Sequence, residues 1–205
     1  MLNNVGVRAV MAHVIEPAAR LLLRLHISPD AITVAGTVGL AAAALVFFPQ
    51  AHWAWGAAIV CVFAFSDLLD GTMARISGRS GPWGAFLDST MDRIADGALF
   101  GGILLGFLRI GDTTTACVAL ACLVGALVVS YSKARAESIG VPCNVGVAER
   151  PERLIVAVLA TLFYGFGVPY VLPAALWALA VLTWITVGQR IWHVRAQLRT
   201  VTDLP

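Results

Sequence analysis

Charge is scarce in this sequence of 205 residues, since Asp, Glu, Lys and Arg together make up only 13% of it. Soluble domains carry roughly 25% charged residues and about 45–50% apolar ones. Here the hydrophobic share is 59%, so too little polar surface remains to cover a water-soluble globule. The net charge of +2 also lacks the basic footprint of a nucleic-acid binder. These shortages exclude a soluble enzyme, a disordered chain and a nucleic-acid partner, and they indicate an integral membrane protein.

Cysteine is equally sparse, with four residues in the chain. Cys61, Cys117 and Cys122 fall inside apolar segments and Cys143 falls in a polar one. Their spacing matches neither a zinc site nor a disulfide framework. We interpret them as small core residues.

Long apolar windows are what the sequence does contain. A membrane-spanning helix needs about 20 mainly apolar residues. Six windows approach this length: Ala31–Phe48, Trp53–Ala74, Gly84–Leu108, Thr114–Ser132, Leu154–Phe166 with its flanks, and Tyr170–Gly188. The fifth is the weakest, because glycine and proline interrupt it. We therefore expect an all-α integral membrane protein with six transmembrane helices in one bundle.

The residues before the first window form an amphipathic pattern. Apolar side chains recur at helical spacing at Val10, Val14, Ala18, Leu22 and Leu25, beside charged ones. The pattern suits a helix lying in the membrane interface or an ordinary solvated helix, and it lacks the features of a signal peptide. We expect one domain over residues 1–205, with an interfacial helix at 1–28, the bundle at 29–190 and a cytoplasmic tail at 191–205.

Basic residues alternate between the segments that join the windows. One side carries Arg8, Arg20, Arg24, Arg75, Arg79, Lys133, Arg135, Arg150, Arg153, Arg190, Arg195 and Arg199, and the other carries Arg109. The positive-inside rule then predicts that both termini lie in the cytoplasm and that the protein crosses the cell membrane several times. Trp53, Trp55, Trp83 and Trp192 lie near window ends, which is typical of an aromatic belt.

Five aspartates, Asp67, Asp70, Asp88, Asp92 and Asp96, lie in or beside the second and third windows. Each costs roughly 2.5–3.5 kcal/mol at a helix centre, so they require compensation. The first two share one helix face and the next two share another. Four hard oxygen ligands suit Mg²⁺, Mn²⁺ or Ca²⁺ rather than zinc. Asp96 lies outside this spacing and is expected to orient a metal-binding neighbour or to pair with Arg93.

The aspartates belong to a longer motif, Asp67-x-x-Asp70-Gly71-x-x-Ala74-Arg75, followed after eight residues by Gly84-x-x-x-Asp88-x-x-x-Asp92. This motif resembles the signature of the CDP-alcohol phosphotransferase family, and all of its fixed positions match. The calcium-binding EF-hand loop has a different spacing. The six windows and the amino-terminal amphipathic segment also fit the family.

The resemblance implies transfer of a phosphoryl-containing group from a CDP-linked donor to an alcohol, with release of CMP. It implies that Asp67, Asp70, Asp88 and Asp92 hold two Mg²⁺ ions, with Mn²⁺ as a possible substitute, and that Asp92 is also the general base. The residues expected to bind the CDP donor are Asp30, Ala31, Ile32, Thr33, Gly71, Ala74, Arg75 and Ser80. The first four belong to a segment that resembles the family's Pro-Asp/Asn-x-x-Thr element.

The acceptor alcohol is suggested by basic residues near the cytoplasmic ends of the later windows: Lys133, Arg135, Arg153 and Arg190. They suit a phosphate-bearing acceptor, although anchoring by the positive-inside rule explains any one of them equally well. Residues 130–137 and 149–153 resemble a branch of the family, the actinobacterial phosphatidylinositol phosphate synthases. That resemblance implies CDP-diacylglycerol as donor, inositol 1-phosphate as acceptor and a homodimer.

Two alternative functions remain open. The first is a sister activity, phosphatidylglycerophosphate synthesis from glycerol 3-phosphate, which would use similar basic residues. The second is a divalent-cation transporter, since acidic residues lie between membrane helices. Transport requires polar residues across the whole membrane, whereas the third window is apolar after Asp96 until Arg109 and Asp112.

Overall fold

A computed structural model describes residues 5–78 and 81–202, with side chains from 15 to 78 and from 81 to 199. Every regular element in these ranges is a helix, which confirms the all-α class. The helices are α1 Val5–Arg24, α2 Pro29–Phe47, α3 Trp53–Ala64, α4 Ser66–Ile76, α5 Pro82–Arg109, α6 Thr113–Ser138, α7 Arg150–Gly165 and α8 Val171–Thr202.

Four helical stretches within the described ranges are long and apolar enough to cross a membrane. They are Pro29–Phe47, Trp53–Ile76, Thr113–Ser138 and Val171–Arg199. Their number supports an integral membrane protein. The predicted third span corresponds to α5, whose first half carries several charged residues, and the predicted fifth span corresponds to α7, which has only 16 residues.

The second predicted span is divided between two helices at Phe65. The amide N–H of Phe65 donates to the carbonyl of Val62, and the N–H of Leu68 donates to the carbonyl of Phe65. Bonds between residues three apart tighten the helix locally. Hydropathy did not reveal this break, because an apolar window of spanning length continues through it. The new helix α4 therefore begins immediately before the first motif aspartate, Asp67.

One compact unit comprises residues 1–42 and 59–95. Within it α1 packs against α4. Two glycines of α2 bring the backbone close to its neighbours: a Cβ at Gly36 would collide with the Ser66 side chain, and one at Gly39 would collide with the ring of Phe63. Close approach of this kind is the usual role of small residues between membrane helices.

The predicted apolar positions of α1 differ in their exposure within the described residues. Ala18 and Leu22 are half-buried, while Leu25 is 61% exposed just after the helix. The side chains of Val10 and Val14 lie outside the described residues. Ala19, which is not among the predicted apolar positions, is fully buried.

A second unit comprises residues 43–58 and 96–205, in which α8 packs against both α6 and α7. In this unit the prediction that Trp53 belongs to an aromatic belt at the membrane surface is wrong. Its side chain is 6% exposed and packs against Phe48, Phe107 and Tyr164. The indole fits against Gly106, where any Cβ would collide with it. Trp55, Trp83 and Trp192 are exposed, as expected.

The same unit places the cysteines and the last helix. Cys122 and Cys143 are buried as predicted, whereas Cys117 is exposed on α6 and Cys61, in the first unit, is half-buried. The final helix α8 continues to Thr202, through residues that the sequence suggests are a tail.

Candidate functional site

The motif aspartates lie on two helices of the first unit. Asp67 and Asp70 belong to the start of α4, and Asp88 and Asp92 belong to the first half of α5. Asp70 is 6% exposed, and the negative charges of Asp67 and Asp88 both act on its carboxylate. Helices α4 and α5 therefore bring three of the four carboxylates within electrostatic range.

The aspartate side chains are not arranged as a complete coordination site for a metal ion. Among the residues that the structure describes, no group of three or more Asp, Glu, His or Cys side chains is arranged closely enough to hold one ion. Asp67 and Asp92 are half-buried, and Asp88 is exposed. The carboxylates are thus neighbours whose oxygens do not converge on one point.

The chemistry of these side chains fits a divalent cation. Their carboxylate oxygens are the hard ligands that Mg²⁺ and Mn²⁺ prefer. Beside Asp70, Gly71 is exposed, and a Cβ built on it or on Gly84 would meet no atom within 4 Å. The helix surface next to the carboxylates is therefore open to a ligand.

Asp70 is oriented by the start of α2. Thr33 donates a hydrogen bond of 2.5 Å from Oγ1 to Oδ2 of Asp70, and both side chains are buried. The Thr33 hydroxyl also lies 3.2 Å from the carbonyl of Pro29. Ser28 caps this helix, since its Oγ accepts a hydrogen bond from the amide of Ala31 at 3.2 Å. The threonine expected to contact the CDP donor thus contacts a candidate metal ligand.

Asp92, the expected general base, has a cationic neighbour. The Nη2 of Arg93 lies 3.3 Å from Oδ2 of Asp92, and the two side chains are 28% and 16% exposed. Both groups are therefore partly open to solvent, as a residue that exchanges protons with a substrate needs to be.

The remaining expected donor residues lie in the same unit. Arg75 is exposed on α4, and its guanidinium donates from Nε to the carbonyl of Gly71 and from Nη2 to Oγ1 of Thr72, each at 3.1 Å. Ala31 is exposed, while Ile32 and Ala74 are half-buried. Ser80 lies outside the described residues.

Asp30 has a partner that sequence reasoning missed. The indole Nε1 of Trp83 donates a hydrogen bond of 3.0 Å to Oδ2 of Asp30, while the ring itself is 63% exposed. The ring also packs against Phe86, with centroids 6.0 Å apart. The position of Trp83 near a span end predicted an aromatic-belt residue. Its spacing from Asp30, which lies 53 positions earlier, gave no indication of this contact.

The expected acceptor residues lie in the second unit, where Arg135 is exposed, Lys133 is half-buried and the other two are buried. Lys133 lies 3.9 Å from Glu137, and Arg135 donates from Nη1 to Oγ of Ser138 at 3.3 Å. Arg153 and Arg190 are 2% and 4% exposed. A cavity of about 640 Å³ between α6 and α8 is lined by Arg135 and Arg190, together with Arg195 and Arg199.

The two buried arginines hold one segment of the α6–α7 loop. Arg190 donates from Nε to the carbonyl of Val145 at 2.9 Å and from Nη1 to that of Val129 at 2.5 Å. Arg153 donates from Nη1 to the carbonyl of Ala148 at 2.9 Å. Both side chains are therefore fixed by backbone carbonyls in addition to any role in binding.

The family comparison agrees with the motif. The sequence profile of the CDP-alcohol phosphatidyltransferases matches residues 26–192 of this chain. The phosphatidylinositol phosphate synthase of Streptomyces avermitilis is 48% identical, with 96% of this chain and 84% of that protein covered. The phosphatidylinositol phosphate synthase of Mycobacteroides abscessus is 42% identical, with 97% of this chain and 91% of that protein covered.

Solved structures of the Mycobacterium tuberculosis phosphatidylinositol phosphate synthase have a similar fold. The crystal structure with CDP-DAG bound superposes with a TM-score of 0.85 at 41% identity, covering 89% of this chain and 94% of that one. The crystal structure in complex with manganese and citrate gives a TM-score of 0.82 at 42% identity, covering 87% of each chain.

Proposed function

This chain belongs to the CDP-alcohol phosphatidyltransferase family, and we propose that it transfers the phosphatidyl group of CDP-diacylglycerol to inositol 1-phosphate. The products are phosphatidylinositol phosphate and CMP. The observation that carries the proposal is the arrangement of Asp67 and Asp70 on α4 with Asp88 on α5, close enough for their charges to interact. The choice of acceptor is supported by the relatives named phosphatidylinositol phosphate synthase, because their similarity extends over nearly the whole chain.

The reaction is an in-line displacement at the phosphorus atom that carries the diacylglycerol. The hydroxyl oxygen of inositol 1-phosphate forms a new bond to this phosphorus, and the bond to the CMP oxygen breaks. Asp92 accepts the proton of the attacking hydroxyl. CMP leaves with the electron pair of the broken bond.

The cofactor is proposed to be a pair of Mg²⁺ ions, which Mn²⁺ can replace, held by Asp67, Asp70, Asp88 and Asp92. When bound, two divalent ions neutralise the pyrophosphate charge and stabilise the attacking and leaving oxygens. The Thr33 hydroxyl fixes the orientation of the Asp70 carboxylate. Side chains that bind metal ions are commonly oriented by hydrogen bonds of this kind from neighbouring residues.

The donor is proposed to bind beside α4, where the open surface at Gly71 admits the nucleotide. Arg75, held over the Gly71 carbonyl, supplies charged donors to a phosphate. The start of α2, with Asp30, Ala31, Ile32 and Thr33, contributes backbone and side-chain contacts to the CDP group, and we include Ser80 and Ala74 in the same subsite.

The acceptor phosphate is proposed to bind Lys133, Arg135, Arg153 and Arg190. Guanidinium groups form bidentate contacts with phosphate, which fix its orientation as well as its charge. Arg153 and Arg190 are suited to this role because backbone carbonyls already hold their guanidinium groups in place. Less ordering is then needed when the acceptor binds.

In the membrane, we propose six spans in one domain over residues 1–205, with α5 and α7 completing the four long apolar stretches and α1 lying in the interface. Both termini and the site would lie on the cytoplasmic side, where the basic residues concentrate. A homodimer is also proposed. Gly101 on α5 supports it, because a Cβ there would meet nothing within 4 Å and a partner helix could approach closely.

The test is CMP release by the purified protein in detergent with CDP-diacylglycerol and Mg²⁺. Inositol 1-phosphate, free inositol and glycerol 3-phosphate are offered separately, each with and without a chelator. We expect turnover with inositol 1-phosphate that the chelator abolishes. Turnover with glycerol 3-phosphate alone would move the function to phosphatidylglycerophosphate synthesis, and chelator-resistant turnover would contradict the metal proposal.

A further inference from the structure

Asp96 is a buried acidic residue to which neither the motif nor the proposed reaction gives a role. It lies on α5 and is only 3% exposed. Burying a carboxylate within a membrane helix is costly unless cations compensate it. Its partners should therefore show what it does.

Two arginines from the start of α7 surround Asp96. Nη2 of Arg153 lies 3.5 Å from Oδ2, and Nε of Arg150 lies 3.7 Å from Oδ1. The Arg153 side chain is 3% exposed and that of Arg150 is 20% exposed. Each carboxylate oxygen of Asp96 therefore faces one guanidinium group.

Arg153 is held from a second side by the α6–α7 loop. Its Nη1 donates to the carbonyl of Ala148 at 2.9 Å. The amides of Val147 and Ala148 in turn donate to Oγ1 of Thr186 on α8, at 3.2 and 3.1 Å. The loop that carries the Ala148 carbonyl is thus fixed to α8. Asp96 lies beside the other terminal nitrogen of the Arg153 guanidinium, Nη2.

The same loop segment connects Arg153 to Arg190, which donates to the carbonyl of Val145. Both buried arginines of the proposed acceptor set are therefore anchored within residues 145–148. Of the two, Arg153 also has a buried carboxylate beside it. The attraction between this carboxylate and the guanidinium is Coulombic, and solvent screens it little because both side chains are buried.

We propose that Asp96 is a positioning residue for the acceptor phosphate: it holds the Arg153 guanidinium in the orientation that binds this group. The proposal rests on the proposed function, in which Arg153 belongs to the acceptor site. It predicts that loss of the Asp96 charge weakens use of the acceptor and leaves use of the CDP donor intact.

The experiment compares Asp96→Asn with Glu152→Gln, which also changes a carboxylate to an amide but at an exposed position on α7. The KM values for inositol 1-phosphate and CDP-diacylglycerol are measured by CMP release. For Asp96→Asn we expect the acceptor KM to rise about tenfold, the scale of a weakened charge-assisted contact, with the donor KM within about twofold of the wild type. Glu152→Gln should change neither value.

A conservative variant keeps the proposal testable if Asp96→Asn does not fold. Asp96→Glu retains the charge but displaces it by one methylene, so its acceptor KM should lie between those of the wild type and Asp96→Asn, again with the donor KM unchanged. Equal rises in both KM values, a fall in kcat alone, or an Asp96→Asn variant with a wild-type acceptor KM would each overturn the positioning role.

The two proposals fail in different ways. If the wild-type protein uses glycerol 3-phosphate in place of inositol 1-phosphate, the proposed acceptor is wrong, and the same KM comparison is made with glycerol 3-phosphate. A selective rise in that acceptor's KM supports positioning by Asp96, because both acceptors present a phosphate. An unselective change contradicts it.

Discussion

Thr33 on α2 and Asp70 on α4 are joined by a hydrogen bond of 2.5 Å between two buried side chains that lie 37 positions apart in the chain. The bond links the segment expected to bind the CDP donor to a carboxylate expected to bind metal. The proposed donor site and the proposed metal site are therefore joined by one hydrogen bond in the first unit. Its consequences can be measured one residue at a time.

Replacing Thr33 with Val removes the hydroxyl and keeps the shape. Asp70 then loses a buried donor, which costs about 1–3 kcal/mol of stability. We also expect a roughly tenfold higher Mg²⁺ concentration for half-maximal CMP release, because the orientation of a metal ligand is lost. The control is Thr37→Val, one helical turn further along α2 and equally buried. An unchanged Mg²⁺ requirement in Thr33→Val would show that the bond is structural only.

Asp92→Asn should reduce turnover at least about 100-fold, which is the lower range of general base catalysis. The amide cannot accept the proton of the acceptor hydroxyl, whereas the donor does not depend on that proton. Affinity for CDP-diacylglycerol, measured by direct binding, should stay near the wild-type value. The exposed Glu149→Gln serves as a control. Turnover close to the wild type would remove Asp92 as the base.

Gly71→Leu separates nucleotide binding from folding. A Cβ at this position meets no atom within 4 Å, and a helix gains stability when glycine is replaced. The variant should therefore fold normally yet bind CDP-diacylglycerol about tenfold or more weakly, since steric overlap costs about 1–3 kcal/mol. Gly188→Leu, at an equally open position on α8, should bind normally. Retained affinity in Gly71→Leu would place the nucleotide elsewhere.

Arg190→Gln should affect both acceptor use and stability. The carbonyls of Val145 and Val129 lose their donor, which costs about 1–3 kcal/mol of unfolding free energy. The acceptor KM should rise more than the donor KM. Arg109→Gln changes an exposed arginine at the end of α5 and should leave both KM values unaltered. Equal effects of Arg190→Gln on the two substrates would assign Arg190 a structural role alone.

The stability of α6 should depend on pH through its cap, Asp112. Hydrogen bonds from the hydroxyl and the amide of Thr115 lower the pKa of Asp112 below its usual value of 3.8. Because the folded pKa is the lower one, the stabilisation is fully present above the usual value and is lost as pH falls through the folded pKa. Asp112→Ala should thus cost about 1 kcal/mol at neutral pH.

The test measures the unfolding midpoints of the wild-type protein and of Asp112→Ala in detergent at several pH values. The difference should shrink below pH 3.8. Glu149→Ala provides a matched control, because Glu149 occupies the corresponding position before α7 and its side chain forms no capping bond. A difference independent of pH would show that the ionised carboxylate does not stabilise the cap.

The helices could be predicted because apolar windows and polar connections differ strongly in composition. The observed bounds differ from the windows by a few residues at most ends. Two other features could not be predicted from composition. Trp53 is buried because Gly106 leaves room for its indole, and the helix break at Phe65 depends on local backbone bonds rather than on hydropathy.

In the candidate site, too, some features could be predicted from the sequence and others could not. A metal-binding role for the aspartates could be proposed from spacing, since carboxylates are rare in membrane helices and their positions repeat at helical intervals. The partners Thr33 of Asp70 and Trp83 of Asp30 could not, because each pair is separated by dozens of residues. For Asp96, sequence reasoning considered Arg93, whereas the structure also places Arg150 and Arg153 beside it.

The central claim is tested most directly by competition among acceptors. The purified protein is given CDP-diacylglycerol, Mg²⁺ and an equimolar mixture of inositol 1-phosphate, inositol and glycerol 3-phosphate, and the lipid product is identified by mass spectrometry. We expect phosphatidylinositol phosphate as the main product, formed together with CMP and absent in Asp92→Asn. Phosphatidylglycerophosphate as the main product would contradict the assigned acceptor, and no lipid product from any acceptor would contradict the proposed activity.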